Sequence, residues 1–201
     1  GVGEPDVLDA LREGHDVAFT YRENRAAAER VLARAADLAP GRRCLAYPLD
    51  VRDSSAVESV ADRVLEDLGD VHVVVPNAGV AINALAANMS DEDWREVLDT
   101  NLTGAFYVVR QFLPTLIANR FGRIVLVSSM GKGGVSGQAA YAASKAGLVG
   151  LGRTLAKEYG KRGITTNTIV PGFIETDMTV ERMSEDNRRF WLEYCPLRRL
   201  G

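Results

Sequence analysis

The fold of this chain is constrained most by a regular alternation of short, β-branched runs with longer segments of helical periodicity. Strand-like runs occupy residues 15–21, 43–50, 71–77, 122–129 and 164–170. Helical segments lie at about residues 5–13, 24–39, 54–68, 90–118 and 138–160. Strands that alternate with helices along a chain form a parallel sheet that is covered by helices on both faces. The alternation therefore predicts an α/β fold with a doubly wound parallel sheet.

The two ends of the sequence are unusual for such a sheet. The chain opens on GVGEPDVLDALREG, a glycine turn that runs into a helix with no strand before it. In dinucleotide-binding folds this turn follows a central strand, and without that strand its neighbours would have unpaired edges. The last residues, CPLRRLG, stop in a turn-like segment. We expect one Rossmann-type domain over residues 1–201, incomplete at both ends, with the first strand and the C-terminal end missing.

One short segment, YAASKAG at residues 141–147, places a phenol and an amine four residues apart. In a helix, positions i and i+4 lie on the same face, so the side chains of Tyr141 and Lys145 can converge. An ammonium beside a phenol favours the phenolate and lowers the pKa of the tyrosine. The pair could then transfer protons near neutral pH. Taken alone, the spacing favours a surface helix on which the two residues are neighbours by chance, because such spacings are common.

Composition and charge argue against several classes of function. A net charge of −3 is unfavourable for a nucleic-acid-binding surface. No apolar run reaches the ~18–20 residues that a membrane-spanning helix needs. Cys44 and Cys195 lack metal-type spacing, and we interpret His15 and His72 as strand-edge residues. These features predict a protein of the reducing cytoplasm with no metal site, no nucleic-acid partner and no membrane partner.

Seven short motifs occur at strand ends or helix starts of this pattern. They are GVG at 1–3, LDV at 49–51, PNAG at 76–79, TNLTGAF at 100–106, LVSS at 126–129, YAASKAG at 141–147 and PGFIETDM at 171–178. In this order they resemble the classical short-chain dehydrogenase/reductase family, most closely its 3-oxoacyl-[acyl-carrier-protein] reductase branch. The resemblance extends over essentially the whole chain. It implies a nicotinamide-dependent oxidoreductase with a Rossmann-type fold.

The resemblance also implies a set of cofactor-binding positions. They are Gly1, Gly3, Arg22, Asp50, Val51, Asn77, Ala78, Gly79, Tyr141, Lys145, Pro171, Gly172, Ile174 and Thr176. The glycines would let the backbone approach the pyrophosphate at a helix N-terminus. Asp50 would hold the adenine ring, although it could instead be a simple helix-capping acid.

The residues after the predicted strand 15–21 bear on which nicotinamide cofactor is used. Enzymes of this fold that use NAD place an acid there to bond the ribose 2′-hydroxyl, whereas an arginine accommodates the 2′-phosphate of NADP. The strand ends in FTYREN, so Arg22 precedes the first acid, Glu23. This order favours NADPH.

Four residues carry the chemistry that the resemblance implies. Tyr141 would donate a proton to a carbonyl oxygen while hydride arrives from the nicotinamide. Lys145 would lower the pKa of Tyr141 and bond the nicotinamide ribose. Asn101 would hold a water that relays protons to Lys145, or it could be an ordinary buried asparagine bonded to the helix backbone. Ser129 would polarise the carbonyl as a hydrogen-bond donor.

The sequence offers two candidates for this serine. Family spacing from the tyrosine points to Ser128, whereas the register of GRIVLVSS points to Ser129. Loops lose residues more readily than buried strands, because a one-residue slip in a strand reverses every side chain. We therefore choose Ser129 and expect Ser128 to face the opposite side of the sheet.

The segment TVERMSEDNRRFWLEYC follows the last motif and is interpreted as an amphipathic lid over the substrate. Phe190, Trp191 and Tyr194 would form its apolar face. An ordinary packed helix with no gating role is an equal alternative.

The resemblance implies a 3-oxoacyl thioester on an acyl carrier protein as the favoured substrate, reduced in fatty acid biosynthesis. An acidic carrier would want basic residues at the mouth of the pocket, and Arg120 and Arg162 are candidates, although they could be solvated surface arginines. Relatives reduce polyketides, sugars or steroids with the same residues, so another ketone or alcohol stays open. A non-catalytic nucleotide-binding protein is a further alternative. An epimerase or dehydratase of the extended branch is a third, but chains of that branch are usually longer than this one.

A homo-oligomer is also implied by the resemblance. In the family, the two long helices, here about 90–118 and 138–160, pack against their copies to form dimers and tetramers. The predicted helices are longer than the sheet can cover, which is consistent with a homotetramer.

Overall fold

The computed structural model of the chain describes residues 3–172, 188–189, 192–193 and 195–199. The strands are β1 (Val17–Tyr21), β2 (Cys44–Pro48), β3 (Val73–Val74), β4 (Gly122–Val127) and β5 (Ile164–Ile169). The helices are α1 (Gly3–Arg12), α2 (Arg25–Leu38), α3 (Ser54–Leu68), α4 (Asp91–Leu98), α5 (Gly104–Ala118) and α6 (Ala139–Tyr159). In these ranges, no helix combines the length and the apolar character that crossing a membrane requires.

Every strand pair is parallel, and helices lie on both sides of the sheets, so the predicted α/β fold is confirmed. β1 pairs with β2 in the register Val17↔Cys44. The second sheet has the order β3-β4-β5, with Arg123 opposite Val73 and Thr165. Each strand lies within a run predicted from the sequence.

The described residues form two separate sheets, one of two strands and one of three. Within the described ranges, β1 pairs only with β2, and β3 pairs only with β4. Only Val73 and Val74 of the predicted strand 71–77 are paired, and Val73 and Val75 remain 50% and 49% exposed. A strand with one paired edge has fewer hydrogen bonds to define it.

The main hydrophobic core lies between the three-stranded sheet and helices α5 and α6. Its buried members are Val74, Val109, Leu113, Leu116, Ile124, Leu126, Leu155 and Ile164. β4 contributes Ile124 and Leu126, both with no exposed surface, which alternate with the less buried Val125 and Val127. Each fully buried aliphatic side chain contributes roughly 1.5–3 kcal/mol. The core therefore packs β4 against α6.

The long helix predicted over residues 90–118 is interrupted. A π-helical turn, Asp99–Thr103, separates α4 from α5, and the N–H of Gly104 closes it on the carbonyl of Asp99. A Cβ on Gly104 would come within 2.7 Å of Val51 Cγ2, so only glycine permits the approach of this segment to the end of β2. Helical periodicity did not predict the turn, because the turn accompanies this approach to Val51, which is distant in sequence. π-Turns of this kind occur frequently at functional sites.

Gly163 provides a test of how β5 is placed beside β4. Its φ is +78°, and a Cβ there would lie 2.2 Å from the carbonyl oxygen of Arg120. We expect Gly163→Ala to lower the free energy of unfolding by more than about 2 kcal/mol, because left-handed strain adds to the clash with a backbone atom. Urea denaturation measures this change.

Gly160→Ala is the matched control. Gly160 has a φ of −55°, and a Cβ there would have no neighbour within 4 Å. The control should therefore keep or slightly raise the stability. Equal losses in the two variants would contradict this account of Gly163.

Candidate active site

The residues singled out in the sequence lie mainly where parallel strands end. Ser129 follows β4, Asn77 follows β3, Arg22 follows β1, Asp50 follows β2 and Pro171 follows β5. The carboxyl ends of parallel strands meet at one edge of a sheet, where open α/β folds bind their ligands. Helix α6 brings Tyr141 and Lys145 to the same edge in its first turns.

Lys145 is buried between helix α6 and the end of β4. It is 6% exposed, and its Nζ donates a hydrogen bond to the carbonyl oxygen of Val127 at 2.8 Å. The same Nζ lies 5.6 Å from the centroid of the Tyr141 ring. The predicted convergence of the phenol and the amine on one helix face is therefore present.

Burial changes the acidity of this lysine. Desolvation lowers the pKa of Lys145 from 10.5 to about 8, because the charged form loses its hydration inside the protein. A group with such a pKa exchanges protons close to neutral pH. The lysine can thus serve both as a positive charge and as a proton donor.

The structure brings Ser129, rather than Ser128, next to Tyr141. A Cβ on Gly131 would lie 3.2 Å from Cε1 of Tyr141 and 3.5 Å from Oγ of Ser129, so the ring and the hydroxyl border the same small space. Ser129 Oγ accepts a hydrogen bond from the N–H of Gly131 at 3.1 Å. Because its oxygen is the acceptor, the hydroxyl proton can be directed at a ligand.

Ser128 has a different environment. It is 3% exposed and continues the buried face of β4, and its Oγ donates to the carbonyl oxygen of Lys145 at 2.7 Å. Its hydroxyl proton is therefore used to hold helix α6. The alternation of side chains along the strand places it on the face opposite to that of Ser129.

Asn101 lies in the π-helical turn and is 1% exposed. Its Oδ1 accepts from the N–H of Val80 at 2.8 Å, and its Nδ2 donates to the carbonyl of Val80 at 3.0 Å and to Ser144 Oγ at 3.1 Å. Both donors of the carboxamide are thus committed to the protein. Its partners lie outside its own helix, which differs from the alternative of an asparagine bonded to the helix backbone.

The turn at Asn77, Ala78 and Gly79 is exposed and lies beside these groups. A Cβ on Gly79 would meet Asn101 Oδ1 at 3.4 Å and Lys145 Nζ at 3.7 Å. A Cβ on Gly3, at the start of α1, would lie 3.1 Å from Asn77 Nδ2. The helix N-terminus and the turn therefore adjoin, and the small residues leave room for a ligand.

At the ends of β1 and β2, the charged groups form pairs that the sequence did not reveal. Arg52 binds both carboxylate oxygens of Asp50, and this hydrogen bonding holds the pKa of Asp50 below its usual range. Asp50 is therefore no helix cap. Asp53 caps α3 instead, through Ser55 and Ala56.

Arg22 is partly exposed and lies near two acids. Its Nε is 3.0 Å from Glu23, and its Nη1 is 3.8 Å from Glu96 in α4. Such surface pairs are weak and easily exchanged. The guanidinium is therefore accessible to an anionic ligand.

The structure describes the surroundings of three other predicted residues, Pro171, Gly172 and Val51. Pro171 accepts a hydrogen bond from the N–H of Met130 at 3.1 Å, next to Ser129, and a Cβ on Gly172 would contact Met130 Sδ at 3.5 Å. Val51 packs against Gly104. The remaining predicted positions lie outside the described residues: Gly1, Ile174, Thr176, Phe190, Trp191 and Tyr194.

Sequence reasoning missed two groups at this edge, Ser144 and Arg52. Ser144 has no exposed surface and lies between Asn101 and Tyr141. Its signal in the sequence was its place immediately before Lys145 in the tyrosine–lysine motif. Arg52 could have been found from its position two residues after Asp50.

The described residues contain no group of three or more histidine, cysteine, aspartate or glutamate side chains arranged to bind a metal. They do place the Tyr141 ring and the Ser129 hydroxyl beside Gly131, with the buried Lys145 ammonium 5.6 Å from the centroid of that ring. A phenol and a hydroxyl can together donate hydrogen bonds to one oxygen atom. The site is therefore suited to polarising and protonating a carbonyl group.

Comparison with known proteins is consistent with this chemistry. Residues 1–187 match the short chain dehydrogenase family. The chain is 37% identical over 202 residues to the 3-oxoacyl-[acyl-carrier-protein] reductase FabG of Staphylococcus epidermidis, covering all of this chain and 82% of that protein. It is 42% identical over 154 residues to the protein of the same name from Escherichia coli, covering 76% of this chain and 63% of that protein.

A solved structure is similar as well. It is provisionally described as a short-chain alcohol dehydrogenase from Sinorhizobium meliloti 1021, and it superimposes with a TM-score of 0.90 at 32% sequence identity. The match covers the whole of this chain and 79% of that protein.

The lowered pKa of Lys145 gives a testable dependence of stability on pH. Between about pH 8 and 10.5 the unfolded chain binds more protons at this lysine than the folded chain does, so the free energy of unfolding should increase as the pH rises. The contribution is on the order of 3 kcal/mol. Lys145→Met should lack this increase and should be more stable than the wild type at pH 7, as urea titrations at several pH values would show.

Lys157→Met is the control, because Lys157 is exposed in the last turn of the same helix. It should follow the wild-type pH dependence. A Lys145→Met curve parallel to the other two would show that burial does not lower the pKa of Lys145.

Proposed function

This chain belongs to the short-chain dehydrogenase family, and we propose that it reduces a ketone with NADPH, a 3-oxoacyl thioester being the favoured substrate. It is an oxidoreductase that uses a nicotinamide cofactor, as the family implies. The observation that carries the proposal is the small space at Gly131, which the Tyr141 ring and the Ser129 hydroxyl border together. Lys145 lies behind the ring, within 5.6 Å of its centroid.

The chain has a cradle that fits the cofactor. A side chain at Gly79 would fill the approach to Asn101 and Lys145, and glycine leaves that approach open. The N-terminus of α1 adjoins the same turn and favours a phosphate group. When bound, the dihydronicotinamide supplies a hydride for the carbonyl carbon. Lys145, Asn77 and Gly79 are the residues we assign to holding it.

The protein groups act on the carbonyl oxygen. Ser129 donates a hydrogen bond to that oxygen and so stabilises the negative charge that develops there. Tyr141 transfers its phenolic proton to the same oxygen, which completes the alcohol. The Lys145 ammonium stabilises the phenolate that remains, and its proton can then replace the one lost. Asn101 acts by holding the Val80 loop. A water that relays protons would have to bind its main-chain carbonyl oxygen or the second lone pair of its Oδ1.

The preference for NADPH rests on the charges at the ends of β1 and β2. Asp50, which follows β2, forms a salt bridge with Arg52. Arg22 leaves the end of β1 with a partly exposed guanidinium. An arginine at this place accommodates a ribose 2′-phosphate. Arg22 is therefore the residue to which we assign recognition of that phosphate.

The choice of a 3-oxoacyl thioester follows the two reductases to which the chain is similar. The structure bears on one part of the sequence argument. Arg120 and Arg162 precede β4 and β5, whereas Ser129 follows β4, so the arginines lie at the opposite edge of the sheet. Six strand residues separate the two edges by roughly 20 Å. Within one chain these arginines do not border the site, which favours the alternative of solvated surface arginines.

A homo-oligomer, with a tetramer as the predicted form, stays part of the proposal. Trp94 on α4 and Phe106 on α5 are 39% and 40% exposed. Arg110 stacks over Phe106 and Tyr107, with its guanidinium carbon within 5.3 Å and 5.1 Å of the ring centroids. An exposed aromatic and arginine surface of this kind is suited to an interface with a second copy.

The cytoplasmic location also stays a prediction.

The proposal is tested by following NADPH absorbance with acetoacetyl thioester as the substrate. Tyr141→Phe should lower kcat by about 10²–10⁴-fold, because the variant keeps the ring but loses the proton donor. Its affinity for NADPH, measured by fluorescence titration, should change little. Wild-type NADPH binding without turnover would exclude this substrate and favour another ketone, and an absence of binding would favour the non-catalytic alternative.

The cofactor preference has its own test. Arg22→Ala should weaken NADPH binding about 10- to 100-fold, because a charge-assisted hydrogen bond to the phosphate is lost. NADH binding should stay within about twofold, since NADH lacks that phosphate. Arg25→Ala is the control, because Arg25 is paired with Glu29 on α2. Equal weakening of both cofactors by Arg22→Ala would contradict the assignment.

A further inference from the structure

Ser144 is a buried hydroxyl that has no role in the reaction described above. It has no exposed surface and lies one residue before Lys145 in helix α6. Its Oγ donates to the carbonyl oxygen of Tyr141 at 2.8 Å. A hydroxyl has one proton, so the oxygen can act only as an acceptor toward its other neighbour. That neighbour is Asn101, whose Nδ2 donates to it at 3.1 Å.

Asn101 continues the path on its other side. Its carboxamide bonds both the N–H and the carbonyl of Val80, at 2.8 Å and 3.0 Å. Val80 directly follows the exposed turn Asn77–Gly79. An unbroken chain of hydrogen bonds therefore connects this turn, through Asn101 and Ser144, to the backbone of Tyr141. Three elements distant in sequence meet in it: the loop after β3, the π-helical turn and helix α6.

We propose that Ser144 is a positioning residue that locks the Asn101 carboxamide against helix α6 and so fixes the Val80 loop relative to Tyr141. The catalytic consequence rests on the function proposed above for Tyr141. The coupling itself does not, because it is a property of the hydrogen bonds alone.

The physical reason is the number of donors on the carboxamide. Asn101 Nδ2 has two N–H groups, and one is used by the carbonyl of Val80. Without the Ser144 oxygen, the second would be buried without a partner, because Asn101 is 1% exposed. Rotation of the Asn101 side chain toward another hydrogen-bond acceptor would then be favourable. The Val80 loop would lose the carboxamide that holds it.

Helix α6 contains a matched comparison. Thr154 donates its hydroxyl to the carbonyl of Gly150 at 3.1 Å, which is a bond of the same kind on an exposed face of the same helix. Loss of either hydroxyl removes one side-chain bond to the helix backbone. Only the loss at Ser144 removes the contact with Asn101. A difference between Ser144→Ala and Thr154→Ala therefore reports on that contact.

The first measurement is hydrogen exchange of the Val80 amide by NMR in the cofactor-free chain. Ser144→Ala should accelerate it about 5- to 100-fold, as expected when a buried hydrogen-bond partner is removed. Thr154→Ala should leave it within about twofold of the wild type. Ser144→Cys, whose thiol is a weak donor and acceptor, should give an intermediate rate. If Ser144→Ala does not fold, Ser144→Cys is compared with Thr154→Ala instead.

The second measurement is turnover with NADPH. Ser144→Ala should lower kcat about tenfold, since Tyr141 is displaced relative to the loop, whereas Thr154→Ala should leave kcat within about twofold of the wild type. Unchanged Val80 exchange in Ser144→Ala overturns the proposal, whatever happens to kcat. Faster exchange with unchanged kcat overturns the link to Tyr141. If the wild type has no ketone reductase activity, the function proposed above fails, and Val80 exchange alone decides the coupling.

Discussion

The site depends most on the contact between the end of β4 and the first turns of helix α6. Two hydrogen bonds cross it in opposite directions: Lys145 Nζ donates to the carbonyl of Val127, and Ser128 Oγ donates to the carbonyl of Lys145. The bond from Ser128 is buried and the bond from Lys145 is partly buried, so each would be costly to break without a replacement. Together they set how far α6 extends past the strand. That position brings the Tyr141 ring to Gly131 and Ser129, and it also removes Lys145 from water, which lowers its pKa.

Small residues allow the elements around this contact to approach closely. A Cβ on Gly147 would come within 2.7 Å of Leu102, and one on Gly152 within 2.4 Å of Thr168 Oγ1. Helix α6 can therefore lie directly on the π-helical turn and on β5. Gly104 does the same for the end of β2. The position of Asn101, and through it of the Val80 loop, follows from these approaches.

The sequence predicted the fold and the family well because both depend on local patterns. β-Branched runs and helical periodicity are readable within short windows, and the structure confirms their order. The interruption of the helix at Asp99–Thr103 was not predicted, because it accompanies the close approach of Gly104 to Val51, which is distant in sequence. For Arg120 and Arg162 the sequence left two alternatives open, because nearness to a strand in sequence does not say which end of the sheet a residue occupies.

The sequence by itself determined that Tyr141 and Lys145 share one face of a helix, since their spacing follows from helical geometry. It also determined which residues follow each strand, and hence which edge of a parallel sheet they occupy. Only the tertiary structure decided which partner neutralises Asp50 and how strongly Lys145 is desolvated. The physical reason is that hydrogen bonding and burial depend on packing between segments that are distant in sequence, such as Asn101 against Ser144.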